Sequence, residues 1–435
     1  MSYNKTSISI VLIGAGNRGR GIFGQYALDF PHRAKFVAVV EPDEDRRASF
    51  SVAHAIPEDR QFSSVTDFFA KHPGKIADGL IIATQENVRA EAIHLALEAG
   101  YAVLCEKPLG LTALDVIAVT DTAKKHDGLF MVCHQMRYAP LYRTLKRLVD
   151  SGEYGKVVNI EHSENLDFEH MAHSYVRGYF NNDALTPMIL AKSCHDMDLL
   201  LYLTAAKPLR ISSFGSLSHF RSENAPEGAP KYCLDGCPAA ATCPYDVQRA
   251  YFRPNTDPAY LRQMGIIKDR LHLMDLLKTN RFGRCVYHCD NNVVDHQVCS
   301  IEFEGGVTAS FTMTGHNAIE RRRTRIQLTD GEIELDSFKK TIEIRKFSTG
   351  DSEVLTPPIG GSHSGGDVAI MQNFVETILN GNQRQVLTSV AQSLDSHLLA
   401  FAAELSRKTN QCLALSDFEE SLRQLQHDSC ADLST

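Results

Sequence analysis

The chain has 435 residues, of which 43% are hydrophobic and 23% are charged. This length exceeds what one compact core usually covers, and the composition is that of a globular protein, so we expect two folded domains. The formal net charge of -8 argues against a nucleic-acid-binding protein, which normally carries a basic stripe. No apolar run reaches the roughly 18 residues of a membrane helix, so we expect no membrane partner.

Eleven cysteines are scattered along the chain, and the N-terminal segment carries no export signal. An odd number of widely spaced cysteines without such a signal indicates reduced thiols or a metal site, and a cytoplasmic location. A short basic run, Arg321 to Arg323 with Arg325, lies in a strand-like segment and is interpreted as a solvated face.

The first predicted strand, residues 8–13, is continuously apolar, as expected of a central parallel strand covered on both faces. It runs into a G-x-G-x-x-G turn whose members are Gly14, Gly16, Asn17, Arg18 and Gly19. In such a turn the first glycine permits the bend, the second lets the backbone approach a pyrophosphate, and the third packs the helix on the strand. The spacing therefore predicts a dinucleotide site.

A carboxylate follows the second predicted strand, residues 36–40, at Glu41. This position lies about 20 residues beyond the glycine turn, where an acid binds the adenosine ribose hydroxyls. A carboxylate there repels a 2′-phosphate, so the sequence favours NAD over NADP.

The two halves of the chain have different patterns. Strands at residues 79–83 and 101–105 flank a helix at 88–99, and this β-α alternation up to about residue 135 predicts an α/β domain with a Rossmann fold. Residues 136–435 carry strand-like segments joined by hairpin turns at 304–306 and 330–331, which predict an α+β domain with a large, mostly antiparallel open sheet. We place the domain boundary between residues 135 and 136.

Two motifs make the chain resemble a known family. Cys105-Glu106-Lys107-Pro108-Leu109 follows a predicted strand, and Cys194-His195-Asp196-Met197-Asp198 occurs in the second domain. Together with residues 77–109 as a whole, they resemble the glucose-fructose oxidoreductase and inositol dehydrogenase family, Gfo/Idh/MocA. The resemblance implies that Lys107 reaches the nicotinamide and the reacting hydroxyl, that Glu106 and Thr84 lie near the cofactor, and that His195 transfers the proton.

The chain departs from the family at the position four residues before this histidine, which is commonly aspartate and here is Ala191. On a helix, Lys192 and Asp198 would share the face of His195, so either could substitute in the proton relay. Asp198 could equally be a packing residue. The family's usual Thr-Pro-Asn turn also reads Thr84-Gln85-Glu86, with Arg89 replacing a frequent histidine.

Hydroxyl-rich ligands need converging donors and acceptors, and the second domain offers a dense polar segment. The candidates for substrate binding are His134, Arg137, Tyr138, His170, His173, Tyr175, Arg177, His296 beside Asp295, and His363.

An insertion at about residues 222–246 has too few apolar residues to fold by itself. Its cysteines, Cys233, Cys237 and Cys243, could form a structural zinc site with Cys285, or with Cys289 or His288, as the fourth ligand. Buried free thiols are the alternative.

These features lead to one main hypothesis, an NAD-dependent oxidoreductase that exchanges hydride with a secondary alcohol of a sugar, sugar derivative or cyclitol. One alternative is a redox-neutral NAD-dependent glycoside hydrolase that acts by transient oxidation and elimination. The second alternative is a non-catalytic dinucleotide-binding protein. A large sheet face must be covered, so we expect a homodimer or homotetramer.

Overall fold

The computed structural model describes residues 5–265, 267–358, 360 and 365–432. Its first sheet has six strands: Ile8–Ile13 (β1), Ala34–Val40 (β2), Gln61–Phe62 (β3), Gly79–Ile82 (β4), Ala102–Cys105 (β5) and Phe130–Val132 (β6). All neighbouring strands are parallel, and their order is β3-β2-β1-β4-β5-β6. This is the order of a dinucleotide-binding Rossmann sheet, so the predicted α/β fold is confirmed.

Helices cover the first sheet because its central strands are apolar on both faces. β1 and β4 are almost entirely buried. The helices of this half are Gln25–Asp29 (α1), Glu44–His54 (α2), Val65–Lys71 (α3), Arg89–Glu98 (α4) and Ala113–Lys124 (α5). The strand order reverses between β1 and β4, and this switch point leaves a crevice at the carboxyl ends of the strands.

The second sheet has nine strands: Val157–Asp167 (β7), Pro208–Ser216 (β8), His296–Phe303 (β9), Thr308–Asn317 (β10), Arg321–Leu328 (β11), Gly331–Asp336 (β12), Thr341–Lys346 (β13), Ser352–Leu355 (β14) and Leu413–Ala414 (β15). Their order is β14-β13-β12-β11-β7-β10-β9-β8-β15, and β7 pairs with β10 in parallel while the other pairs are antiparallel. Both predicted hairpins, β9-β10 and β11-β12, are therefore confirmed, as is the mostly antiparallel sheet.

The remaining helices are Pro140–Asp150 (α6), Phe168–His170 (α7), Met188–Ala191 (α8), Cys194–Thr204 (α9), Val247–Tyr251 (α10), Pro258–Gln263 (α11), Arg270–Leu277 (α12), Gly366–Asn380 (α13), Val390–Thr409 (α14) and Leu415–Asp432 (α15). Helix α14 contacts α5 and β6 on one side and α9 and β8 on the other, so it joins the two sheets. It begins where the Ser389 hydroxyl caps the backbone of Gln392 and the Gln392 side chain returns the contact.

Between β8 and β9 the chain forms an insertion that contains α10, α11 and α12. Five buried side chains give this insertion a small apolar core of its own: Val247, Tyr251, Leu273, Leu277 and Phe282. None of the helices in the described ranges combines the length and apolar content needed to cross a membrane.

Candidate active site

The glycine turn after β1 is closed to side chains on one side and open on the other. Gly14 has φ +95°, and a Cβ there would lie 2.7 Å from the Ala83 carbonyl oxygen, while a Cβ on Gly19 would lie 1.9 Å from the Gly14 oxygen. A Cβ on Gly16 would meet no heavy atom within 4 Å. The turn therefore holds its shape by close backbone packing and leaves space where a pyrophosphate would approach.

Glu41 follows β2 and is held against this turn. Its side chain accepts hydrogen bonds from the backbone N–H of Ala15 at 2.6 Å and of Asp43 at 3.1 Å. The residue is 6% exposed. A fixed carboxylate beside the glycine turn fits a ribose contact, although that role remains a prediction.

Arg18, a member of the predicted cofactor-binding turn, pairs with two carboxylates of this chain. Its guanidinium donates to Glu106 at 2.7 Å and to Asp367, at the start of α13, at 2.7 Å. The charge of Arg18 is therefore neutralised by two carboxylates of this chain, and Glu106 is committed to the same ion pair. The sequence could not reveal this because Asp367 is distant along the chain.

Lys107 reaches out of the first domain. Its Nζ atom donates to the carbonyl oxygen of Ala191 at 2.9 Å. The loop that carries Lys107 is clamped by buried Arg89, which donates to the carbonyl oxygens of Pro108 and Thr84. Arg89 thereby joins the loops after β4 and β5 and fixes the position from which Lys107 extends.

His195 lies on the first turn of α9 and is 5% exposed. The ring of His134, which follows β6, packs edge-on against it with the centroids 6.0 Å apart. His134 is completely buried, and its Nδ1 lies 3.9 Å from an Asp198 oxygen. Burial, and then the charges of Arg137 and Lys107, lower the pKa of His134 well below its ordinary value, so this ring is neutral.

Asp198 and Lys192, the two predicted substitutes for the family aspartate, are both engaged elsewhere. Asp198 accepts from Nε and Nη2 of Arg137, each at 2.8 Å. Lys192 lies 2.8 Å from Glu320 and 3.4 Å from Glu164. The backbone carbonyl oxygen of Ala191 accepts the hydrogen bond from Lys107.

The prediction that the basic run is a solvated face is wrong for Arg322. Its guanidinium lies 2.5 Å from buried Glu164 and 2.6 Å from buried Asp196. Arg323 and Arg325 are exposed, because side chains alternate between the two faces along β11. Burial alone would raise the pKa of Asp196, but Arg322 and His162 bring it down to about 2.

The polar segment after β7 divides into separate environments. His170 Nδ1 lies 2.8 Å from Glu320, which links it to the Lys192 ion pairs. His173 stacks on Tyr260 and Phe282 and bonds to the Tyr251 hydroxyl, while Tyr175 is buried beside His170. Arg177 is 1% exposed and donates to backbone oxygens of Arg284 and Tyr245. His170 contacts the charged group around Lys192 directly, and the charges of Lys192 and Glu320 also act on the Tyr175 hydroxyl.

Arg137 and Tyr138 hold the structure around α9 and α14. Besides Asp198, Arg137 binds the Leu387 carbonyl oxygen at 3.0 Å. The Tyr138 hydroxyl accepts from the Leu387 N–H and bonds to Asn373 and Thr388. Contrary to the sequence expectation, the polar atoms of both side chains are committed to protein groups.

His296 and Asp295 lie at the start of β9. His296 Nδ1 contacts Asp295 at 2.8 Å, and the same carboxylate accepts from the backbone of Ser218 and His219. Asp295 therefore organises the turn after β8. The prediction for His363 lies outside the described residues.

The four predicted zinc ligands line one small pocket, together with Arg177. Their sulfur atoms do not converge, however. In the described ranges, three or more potential metal ligand atoms lie within 4.8 Å of one another only at Asp167, His170 and Glu320. A formed tetrahedral zinc site is therefore absent from this arrangement.

The Asp167, His170 and Glu320 group is itself a poor cation site. Burial, and then the hydrogen bond with Glu320, raise the pKa of Asp167 to about 6. The Lys192 ammonium already pairs with Glu320 and would oppose a metal ion.

Several buried polar atoms have no hydrogen-bond partner among the described residues, and some of them belong to residues around the crevice. They include Thr84 Oγ1 after β4, both ring nitrogens of His134 after β6, and Ser193 Oγ before α9. Buried polar atoms normally have hydrogen-bond partners, so these positions fit a binding site for a polar ligand.

Sequence reasoning missed two residues that border the crevice. His397 on α14 accepts from the Leu109 N–H at 3.1 Å and donates to the Ser393 oxygen at 2.6 Å. Arg262 on α11 donates to Asn17 in the glycine turn at 3.2 Å. Neither lies in a motif, so no sequence signal could have found them.

A Rossmann sheet with an open glycine turn, joined to a second domain that meets Lys107, defines a dinucleotide-dependent oxidoreductase. The model of the oxidoreductase family with NAD-binding Rossmann fold matches residues 8–134, and that of the Gfo/Idh/MocA C-terminal domain matches residues 142–334. The chain therefore belongs to the Gfo/Idh/MocA oxidoreductase family, as its motifs predicted.

Individual relatives extend this result. The putative oxidoreductase YteT of Bacillus subtilis is 22% identical over 68% of this chain and 72% of its own length. Inositol 2-dehydrogenase of Corynebacterium glutamicum is 25% identical over 47% of this chain and 56% of its own length. The structure of scyllo-inositol dehydrogenase from Lactobacillus casei with NAD(H) and scyllo-inositol matches with a TM-score of 0.65 and 18% identity, covering 94% of this chain and 99% of that one.

Proposed function

We propose that this protein is an NAD-dependent dehydrogenase that oxidises a secondary alcohol of a sugar, sugar derivative or cyclitol. The observation that carries the proposal is the hydrogen bond from Lys107 to Ala191, just before the helix that bears His195. It brings the ammonium group of one domain to the histidine helix of the other. The relatives named as inositol dehydrogenases favour a polyhydroxylated ring as substrate.

The glycine turn and Glu41 would hold NAD, which when bound accepts a hydride from the carbinol carbon. Ala191 uses one of the three ammonium protons of Lys107, so the others can bind the substrate oxygen. This contact stabilises the negative charge that develops as the hydroxyl proton leaves. His195 takes that proton, and the alcohol becomes a ketone.

The proposal is tested by following NADH formation with a panel of inositols, aldoses and sugar acids. Net NADH formation with one of them, absent in a Lys107→Ala variant, supports a dehydrogenase. Release of an aglycone from a glycoside without net NADH would instead identify the redox-neutral glycosidase, for which the aspartate missing at position 191 leaves room. Dinucleotide binding without either reaction would identify a non-catalytic protein.

We further propose that residues 1–135 and 136–435 are the two domains of a cytoplasmic homodimer or homotetramer. Support for assembly comes from the outer face of the nine-stranded sheet, where Phe214 and Val298 are paired across β8 and β9 and are 64% and 42% exposed. Contiguous exposed apolar surface commonly marks an interface. Light scattering of the wild-type protein and of a Phe214→Glu variant tests this. The wild-type protein should be an oligomer and the variant should be dissociated. A monomeric wild-type protein refutes the proposal.

A structural zinc ion at Cys233, Cys237, Cys243 and Cys285 also remains a proposal. The four thiols line one cavity beside buried Arg177, which has no carboxylate partner among the described residues. A zinc ion with four thiolates carries net negative charge and would neutralise that guanidinium, but the thiols must first converge. Metal analysis should find one zinc per chain, lost in Cys233→Ser and retained in Cys412→Ser at an exposed position. Zinc-free wild-type protein, after growth with zinc, would refute the site.

A further inference from the structure

A side chain of the second domain lies over the glycine turn of the first. Arg262, on α11 in the insertion between β8 and β9, donates from Nε to the Asn17 side-chain oxygen at 3.2 Å. Asn17 stands between the second and third glycines of the turn. Backbone N–H groups of this stretch face the pyrophosphate in a Rossmann dinucleotide site.

The charges around the turn make this contact significant. Arg18, which belongs to the turn, pairs with Glu106 and Asp367, so its positive charge is already neutralised within this chain. Arg262 is exposed, and within the described part of the chain no carboxylate pairs with it. A guanidinium presents five donors in a planar fork. The terminal nitrogens of Arg262 can therefore bind a phosphate while Nε keeps its hydrogen bond to Asn17.

The helix that carries Arg262 is anchored in the second domain. Tyr260, on the same helix, stacks on His173 with the ring centroids 4.2 Å apart and contacts the ring of His170. His170 in turn pairs with Glu320, which binds Lys192. The position of Arg262 is thus linked through packed side chains to the charged group near His195.

We propose that the insertion is a clamp on the cofactor, in which Arg262 donates to the NAD pyrophosphate from the side opposite the glycine turn. The clamp holds the dinucleotide between the domains, so the cofactor dissociates slowly, and release requires α11 to leave Asn17. This inference rests on the proposed function in one respect, namely that NAD binds at the glycine turn.

The test compares the affinities of NAD, ADP-ribose and adenosine for wild type, Arg262→Gln and Arg262→Lys by titration calorimetry. Loss of a charged phosphate contact should weaken NAD and ADP-ribose about 10-fold to 100-fold in Arg262→Gln and less in Arg262→Lys. Adenosine lacks the pyrophosphate and should bind all three proteins equally. Stopped-flow measurement should show faster NAD release from Arg262→Gln.

Arg249→Gln is the matched control, since Arg249 is an exposed arginine of the same insertion and donates to the Ala241 carbonyl oxygen. It should bind NAD as wild type does. Equal NAD and ADP-ribose affinity in wild type and Arg262→Gln would overturn the clamp, as would an equal loss for adenosine, which would indicate a folding defect. If wild type binds neither NAD nor ADP-ribose, the proposed function fails instead.

Discussion

Lys107 and Ala191 are joined by a hydrogen bond of 2.9 Å between the side-chain ammonium of the first and the backbone carbonyl oxygen of the second. The two residues belong to different parts of the chain, one in the loop after β5 and the other in α8. A carbonyl oxygen has no counter-charge, so the ammonium keeps its full positive charge toward the crevice. Position 191 has no aspartate, and its backbone carbonyl oxygen is the acceptor for Lys107.

Replacing Lys107 by alanine should abolish most of the turnover. The ammonium is the proposed donor to the developing alkoxide, and removal of such a donor costs about 100-fold to 1000-fold in kcat. Steady-state kinetics on the identified substrate measure the loss, and NAD titration shows that the cofactor still binds. Lys125→Ala, an exposed position after α5, should retain full activity. A Lys107→Ala enzyme with wild-type kcat would contradict the assignment.

Replacing Glu41 by alanine should reduce the preference for NAD over NADP. The variant loses a charged acceptor for the ribose hydroxyls and the repulsion of a 2′-phosphate, so NAD affinity should fall about 10-fold to 100-fold while NADP affinity rises. Binding titrations of both cofactors measure the ratio. Glu44→Ala, an acid in the first turn of α2, is the control and should leave the ratio unchanged. An unaltered ratio in Glu41→Ala would place the ribose elsewhere.

His397 should make the protein less stable in acid. Burial is the main cause that lowers the pKa of His397 from 6.5 to about 3. Between these pH values the His397 imidazole is protonated in the unfolded chain and neutral in the folded protein. The free energy of unfolding therefore falls as pH decreases. The slope for one group is about 1.4 kcal/mol per pH unit.

A His397→Gln variant should therefore lose stability less steeply than wild type from pH 6.5 downward, although it is less stable at pH 7. Urea denaturation at a series of pH values measures the slope. His427→Gln, at an exposed position of α15, should follow the wild-type curve. Parallel curves for wild type and His397→Gln would show that this histidine does not control acid stability.

Breaking the Arg137 and Asp198 pair should destabilise the fold. Both residues are almost completely buried and share two hydrogen bonds of 2.8 Å, so Asp198→Asn leaves a buried guanidinium without its counter-charge. We expect a loss of about 3 to 5 kcal/mol in the free energy of unfolding. Thermal and urea denaturation measure it.

The double variant Arg137→Met with Asp198→Leu should recover much of that loss, because no charge remains buried. Asp150→Asn is the control, since its pair with Lys146 is on the surface and is worth less than about 1 kcal/mol. Equal effects of Asp198→Asn and Asp150→Asn would mean that the buried pair contributes little.

The elements that were predicted well depend on local information. β1 and its turn follow from an apolar run ending in glycines, and the hairpins at 304–306 and 330–331 follow from turn residues between alternating strands. Strand and helix ends were less accurate. The helix predicted at residues 88–99 begins one residue later and ends one residue earlier, at Arg89–Glu98.

The partners of charged side chains were predicted poorly. Arg322 was predicted to lie on a solvated face, yet it lies between Glu164 and Asp196. Arg18 was predicted as a member of the cofactor-binding turn, and its guanidinium pairs with Glu106 and Asp367. In both cases the deciding carboxylates are remote in sequence, and only folding brings them within reach.

The sequence by itself determined the Rossmann sheet and the family, because strand periodicity, glycine spacing and short motifs are properties of neighbouring residues. It also predicted the chemistry at positions 107 and 195. Tertiary structure decided which polar groups are available for ligands. Arg137 and Asp198 bind each other, while Lys107 meets a backbone carbonyl and Arg262 reaches the glycine turn. The physical reason is that an ion pair or hydrogen bond depends on distances of a few ångströms, which packing between distant segments sets.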